Sequence, residues 1–422
     1  MTKGIAVILA VVFLFVYTPL DAAEEIVLSV EEAVAIALRD NRDIMLRTEE
    51  LKKAKARLAE SASQFLPTFT FTGSWQDTRG YYTKDPAQTS TQATLKQYLY
   101  RGGKTIATVE QNRHLADVSL ALLDKAKLET AYAVRKAFYT LLLAIDFAEV
   151  NKKILANTRG HLDLARIRYR NGEVPESEVL SMEASLEGVQ QAYEEAVNQA
   201  ELAAASLNTL LNVETDSRIR PAGEFRYEPQ EIAYDEAFLG ALARRPEIRQ
   251  YEAQIKADTS SIEASKSESR PSVYASWDYY SRSHLAATAN KNWNDYNVLG
   301  LTFSWPVFDG WQAAHKVKQA VSSLKETQLL YEKTVKDIAL ELTASYLALK
   351  DAIARIRSAE SEVKMYRDNF SSAQEKYRNG IASFLDLSDS ELKYNISSFN
   401  KKQAVYDYMV AKAGFDKAAG GL

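Results

Sequence analysis

Two stretches of this chain repeat each other in register. Tyr169-Arg170-Asn171-Gly172 recurs unchanged as Tyr377-Arg378-Asn379-Gly380, 208 positions later. Tyr100-Arg101-Gly102 is matched by Phe308-Asp309-Gly310 at the same offset. Nearer the N-terminus the offset is 204: residues 38–44 return as 242–248, and Pro67 returns as Pro271. The step from 204 to 208 places four extra residues in the second copy, between positions 281 and 297. One four-residue identity is a common accident; a series in register is not. The chain reads as two copies of one unit, residues 23–233 and 234–422.

Each copy holds one very long helical pattern. Ala131, Val134, Phe138, Leu141, Ile145 and Ala148 follow the 3-4 spacing of a coiled-coil seam. Adding 208 gives Ala339, Leu342, Tyr346, Leu349, Ile353 and Ile356, the same seam in the same phase. Residues 104–168 contain no proline and one internal glycine, Gly160. At 1.5 Å per residue that is roughly 100 Å of helix, far beyond a usual globular helix. Shorter helical patterns flank it, at 30–63 and 175–211 in the first copy and at 234–267 and 385–419 in the second. Stacked end to end, each short pair matches the long helix in length. The expected result is an antiparallel wall of uniform height.

Between the helices lie four alternating segments, at about 67–77, 92–100, 271–281 and 297–308. Phe69, Phe71 and Trp75 alternate with Thr68, Thr70, Thr72 and Ser74. Leu299, Leu301, Phe303 and Trp305 alternate with Gly300, Thr302 and Ser304. Period-2 patterning fits the lipid and water faces of an outer-membrane barrel wall. It equally fits a soluble sheet packed on one face. Tyr81, Tyr82, Tyr279, Tyr280, Trp293 and Tyr296 near the strand tips suit an interfacial aromatic girdle. Four strands cannot enclose a lumen, and an open sheet edge is not tolerated in lipid. A membrane-inserted chain must therefore oligomerise, to 8 strands as a dimer or 12 as a trimer, and only the larger leaves a useful bore.

Composition removes most other functions. With 52 basic and 56 acidic residues the chain lacks the basic field of a nucleic-acid binder. It has no cysteine, which excludes disulfides, thiol nucleophiles and lipobox acylation. Its four histidines lack metal-ligand spacing, so neither a metal nor a cofactor is expected. Sixteen glycines among 422 residues fall well below the usual share of about 7%, which suits uninterrupted helices. Gly103-Lys104-Thr105 echoes the end of a phosphate loop, but Tyr98 stands where its first glycine is required. No enzymatic constellation is present. Lys3, the apolar run at 5–17 and the small residues around Ala22 read as an export signal, residues 1–22.

With the duplicated halves, the strand pairs ending in Tyr100-Arg101-Gly102-Gly103 and Phe308-Asp309-Gly310, and the paired Tyr-Arg-Asn-Gly tips, the mature chain resembles the TolC-like outer membrane efflux proteins. The resemblance implies a mixed α+β membrane protein. It would be a homotrimer: a 12-stranded β-barrel, four strands per chain, continued by a periplasmic α-helical coiled-coil barrel. It implies an exit duct in the outer membrane of a Gram-negative bacterium, serving an efflux pump or type I secretion system. Its partners would be a periplasmic adaptor, an inner-membrane pump and outer-membrane lipid. A different class, an envelope-spanning coiled coil without a conduit, would have no need of lipid-facing strands.

The resemblance also places function at the tips. Six residues beyond each tip glycine lie Glu178 and Asp386, with Asp389 one turn further and on the same helix face as Asp386. Three-fold repetition would set these carboxylates around a periplasmic constriction attractive to cations. Read from the residues alone, the same acids suit a solvated turn. Gly172 and Gly380 are expected to end the long helices in left-handed geometry. Tyr377 matches a tyrosine that in the family helps latch the closed entrance. The latch arginine is missing, because Ala382 stands in its place.

Overall fold

A computed structural model describes residues 26–77, 87–215, 217–223, 227, 233–285, 293–379 and 381–421. The expected export signal, Tyr81, Tyr82 and Gly380 lie outside the described residues. In chain order the elements are β1 (Ile26–Leu28), α1 (Val30–Asp40), α2 (Arg42–Ser63), β2 (Thr68–Asp77), β3 (Ala87–Arg101), α3 (Lys104–Arg170) and α4 (Glu176–Leu211). Then follow β4 (Ile219–Pro221), α5 (Tyr234–Arg244), α6 (Pro246–Lys266), β5 (Ser272–Leu285), β6 (Trp293–Ser304), α7 (Gln312–Arg378) and α8 (Phe384–Ala418). The two long helices, α3 and α7, have 67 residues each.

Neighbours repeat the same order at every level. The sheet runs β2-β3-β5-β6. Next to it α2 packs on α3, α3 on α6, and α6 on α7. Beyond the short-helix ends, α4 packs on α3, α3 on α8, and α8 on α7. The protomer is therefore four columns, each a strand continued by helix. The columns headed by β2 and by β6 are the outer two, and among the described residues each lacks a neighbour on one side.

The antiparallel register separates the faces of the sheet. Phe69, Leu95, Trp277 and Leu299 form one row across all four strands, and Thr68, Lys96, Ser276 and Gly300 form the adjacent row on the other face. Phe69, Phe71, Trp75, Leu299, Leu301 and Phe303 are each about two-thirds exposed or more. Such a bare apolar face is the opposite of a sheet packed on a core. The observed strands differ from the expected spans. β3 starts earlier, at Ala87, β5 continues to Leu285, and β6 occupies Trp293–Ser304. Trp305-Pro306 follows β6, and proline has no N–H to extend the ladder.

The short helices also differ from expectation. The pattern at 30–63 is interrupted at Asn41, which is at once the C-cap of α1 and the N-cap of α2, its side chain accepting from Asp43 N–H. Asn41 Nδ2 also donates to the carbonyl of Leu210, tying the break to the end of α4. In the second copy Arg245 occupies the matching position, with Pro246 opening α6. Helix-period patterning continues across both breaks, so periodicity alone does not reveal them. The small parallel pair β1–β4 was likewise not anticipated.

Both seams are only partly as expected. Ala131, Val134, Phe138 and Leu141 are buried with α1 and α4, but Ile145 lies beyond that core and is exposed. In α7, Leu342, Leu349 and Ile356 are buried as expected; the stripe beside them is Ile338, Ala352 and Ala359, one residue from Ala339, Ile353 and a further turn. α7 packs on one flank only within the chain, so its buried stripe turns toward α6 and α8.

One turn fixes how sheet meets helix. Gly102, with φ +64°, sits where β3 becomes α3, and an added Cβ would lie 2.7 Å from Arg270 Cβ and 2.8 Å from the Ser267 carbonyl. Gly102→Val combines a left-handed backbone, about 1–2 kcal/mol, with overpacking of about 1–3 kcal/mol. We expect heat-resistant folded protein to be largely lost. Gly73→Ala, where the added carbon meets nothing within 4 Å, should leave its amount unchanged.

Candidate functional site at the helical tips

Both hairpins end far from the sheet, and one closing hydrogen bond recurs in the described part of each turn. In the first, Gly172 N–H donates to the Tyr169 carbonyl at 2.9 Å and Glu173 N–H to the Arg168 carbonyl at 2.9 Å. This pair of bonds is a Schellman closure, and Gly172 takes the left-handed φ of +75° that it needs. In the second, Ile381 N–H donates to the Lys376 carbonyl at 2.8 Å, the counterpart of the Glu173 bond. Arg168, Arg170, Lys376 and Arg378 occupy the last helical turns, where cations complement the helix dipole.

The helices leaving the tips start differently. Ser383 caps α8, its hydroxyl accepting from Asp386 N–H at 3.2 Å. The Asp386 carboxylate accepts in return from Ser383 N–H at 3.0 Å and from its hydroxyl at 2.6 Å. These bonds, the hydroxyl first and the backbone N–H second, hold the exposed Asp386 carboxyl below the usual aspartate range. Asp389 pairs with Lys393 at 2.7 Å. Both acids of the second tip are exposed, and both have partners. In the first tip the N-cap of α4 is Pro175, which has no N–H to offer Glu178. Glu178 is half-buried and is not drawn into a capping box.

Tyr377 joins the two hairpins. The Arg168 guanidinium of α3 lies 5.4 Å from the centre of its ring. Ala382, in the place of the expected latch arginine, is half-buried. The cation beside Tyr377 thus comes from the opposite hairpin.

Sequence reasoning missed the seam that runs up from this contact between α3 and α8. Asn157 Nδ2 donates to Glu391, and His161 Nε2 lies 3.4 Å from the same carboxylate. Above them Lys402 pairs with Asp146 at 2.8 Å, Phe147 meets Phe399 with ring centres 4.7 Å apart, and the hydroxyls of Thr140 and Tyr406 lie 3.1 Å apart. Thr140, Phe147, His161 and Arg168 fall seven or fourteen residues apart. That heptad row was the available signal, hidden because it mixes polar and apolar types. Among the described residues, no group of His, Asp or Glu is arranged to hold a metal, and no helix is long and apolar enough to cross a membrane.

Known proteins agree with this geometry. The family model described as outer membrane efflux protein matches residues 33–213 and again 240–421. The alkaline protease secretion protein AprF of Pseudomonas aeruginosa is 23% identical, over 93% of this chain and 86% of its own length. The toluene efflux pump outer membrane protein TtgC of Pseudomonas putida is 21% identical, over 93% of this chain and 83% of its own. The CmeC outer membrane channel of Campylobacter jejuni superposes with a TM-score of 0.80 at 19% identity, covering 93% of this chain and 85% of that one.

Proposed function

The chain belongs to the outer membrane efflux protein family, and from that premise we propose that it is a passive exit duct closed by three copies. It sits in the outer membrane and conducts solutes or polypeptides from the periplasm to the exterior, within an efflux pump or a secretion system. One observation carries the assembly. Among the described residues the sheet ends in β2 and β6, both unpaired on their outer edges, and the outer helical columns are open on the same two sides. Open edges cannot persist in hydrocarbon. Three copies give 12 strands, enough for a water-filled bore, and continue the helical columns into a tunnel of the same symmetry.

The exposed apolar row through Phe69, Leu95, Trp277 and Leu299 faces lipid in this reading, and the Thr68–Lys96–Ser276–Gly300 row faces the bore. A rod without a conduit gives no reason for either face. The tips form the periplasmic entrance. Asp386 and Asp389 ring it, Glu178 stands further from the axis, and Tyr377 with Arg168 helps hold the hairpins together when it is closed. A periplasmic adaptor and an inner-membrane pump dock on the tip side, in keeping with the secretion and efflux roles named for AprF and TtgC.

The test is assembly with conductance. Amine crosslinking in native membranes should stop at a trimer, and purified protein should open discrete channels in planar bilayers. A ladder ending at dimer, an inserted monomer or a trimer without conductance would overturn the reading.

A further inference from the structure

We propose that Trp311 is the knob by which one copy of the chain locks onto Phe65 and Leu66 of the next, where the sheet passes into the helices. The proposal rests on the ring-closed assembly above and names the side chains that close it.

The chain contains one finished example of this junction. At the β3–α3 turn, Gly102 and Gly103 sit against the segment leaving α6. Ser267 there is buried at 4% exposure. Arg270 Nη1 donates to the Gly102 carbonyl at 3.1 Å, and a Cβ on Gly103 would be 3.5 Å from the same nitrogen. Lys104 pairs with Glu268 at 3.1 Å.

The matching turn, between β6 and α7, is Gly310-Trp311, 208 positions later. Its backbone has the same left-handed form, with φ of +67° and +69° against +64° and +90°. Among the described residues it touches no such segment. Nothing lies within 4 Å of a Cβ on Gly310, and Trp311 is 67% exposed. The counterpart of Ser267–Pro271 is residues 63–67, identical at the serine and the proline. It too is bare, with Phe65 51% and Leu66 64% exposed. The two segments are built alike: Gln97 Nε2 donates to the Phe65 carbonyl at 2.9 Å, and Trp305 Nε1, its counterpart, donates to the Ser269 carbonyl at 3.2 Å.

These two unfinished halves lie on opposite outer columns. A rotation that sets the second half of one copy beside the first half of the next completes them, in a head-to-tail contact that closes a ring. The chemistry has been exchanged on both sides together. The internal junction places a glycine beneath an arginine; the outer one would place a tryptophan beneath a leucine. A left-handed backbone is unfavourable for any residue with a side chain, and Trp311 adopts one while, among the described residues, no partner is large enough to cover its ring. Phe308, 6.2 Å away, is itself exposed. Lipid fits less well as the occupant. The Lys104–Glu268–Lys316 ion cluster, with distances of 3.1 and 2.7 Å, stands at the same turn level and marks it as the water side of the sheet.

The chain has no cysteine, so Leu66→Cys combined with Trp311→Cys introduces the only thiols. Treated with a short bismaleimide in outer membranes, the fraction of the double variant that still assembles without the ring should give covalent dimer and trimer on denaturing gels, and each single variant neither. If the wild-type chain is not a trimer by amine crosslinking, the assembly reading itself falls. If the double variant is a trimer but its thiols do not join, the knob is overturned, whether Trp311→Cys is freely labelled by a soluble maleimide or shielded by lipid. If the double variant fails to assemble, Trp311→Gly decides. Glycine suits the backbone and removes the ring, so trimer yield should fall at least tenfold while Trp311→Phe keeps most of it. A wild-type yield for Trp311→Gly would overturn the proposal.

Discussion

Arg245→Ala should lower the heat stability of the assembled protein more than any other single side-chain truncation in the helical wall. Arg245 is the residue at the α5–α6 break, and its side chain is 5% exposed. Its guanidinium holds both oxygens of Glu247, at 3.0 and 3.1 Å, and one oxygen of Glu341 on α7 at 2.7 Å. Nη1 donates to the Lys417 carbonyl near the end of α8 at 3.2 Å. One side chain thus ties together α5, α6, α7 and α8. Removing one member of a buried pair leaves uncompensated charge and costs about 3–5 kcal/mol. The lower end applies here, because Lys417 still reaches Glu341 at 3.1 Å and Lys125 stands 3.9 Å from Glu247. Arg245→Lys should rescue little, since an ammonium cannot reproduce the planar fork. Adding Glu247→Gln and Glu341→Gln to Arg245→Ala should recover part of the loss.

The same cluster gives a pH signature. Burial pushes the Glu341 carboxyl up, but Arg245 and Lys417 outweigh it and hold the group below the usual glutamate range. A lowered folded-state value means stabilisation that is present above the ordinary value and lost as pH falls through the lowered one. Arg245→Ala should therefore lose less stability on acidification than the parent. The measurement is the temperature at which the heat-resistant form is lost on gels, across pH. A variant within about 1 kcal/mol of the parent would mean the network contributes only as an exposed pair does.

How much of this was legible depended on whether a feature repeats. The offsets of 204 and 208 located the strands, both tips and the matching junction turns, because each copy independently carries the same physical demand. Asn41 and Arg245 occupy matching positions at the two helix breaks, but side chains of different type do the work, so comparison of letters passed over them. Pro246 was the one local signal, a proline at the first helical position. β1 and β4 are three residues each and pair across most of the first half; no short-range pattern encodes such a contact. At the tips, sequence placed Asp386 and Asp389 on one face but not their partners. Ser383 three residues before Asp386, and Lys393 four after Asp389, are capping-box and ion-pair spacings. Both were readable from the same letters.

Those partners sharpen what charge removal at the entrance should do. Asp386→Asn with Asp389→Asn should shift ion preference strongly away from cations, because in the proposed trimer three-fold repetition multiplies each substitution. Lys393 already offsets one charge per tip through its 2.7 Å contact with Asp389. Neutralising both acids leaves that lysine uncompensated, so the Asp386–Asp389–Lys393 group changes from net negative to net positive. At an effective dielectric of about 20, two unit charges 8 Å apart interact by roughly 2 kcal/mol, enough to alter ion preference severalfold. The effect should be larger at low salt than at high salt. Asp386 carries a persistent charge. Its carboxyl is held below the usual range by the Ser383 hydroxyl and N–H, so its share of cation preference should survive mild acid and vanish only as pH falls through that lowered value. Glu178 should matter less, being half-buried on the first tip. The readout is reversal potential across planar bilayers in a salt gradient, for wild type, each single variant and the pair. Asp278→Asn, on the sheet face proposed to line the bore and hydrogen-bonded to Thr94 at 2.6 Å, is the control. If it shifts the potential more than the tip pair does, selectivity resides in the barrel, and the tips are docking turns without a charged constriction.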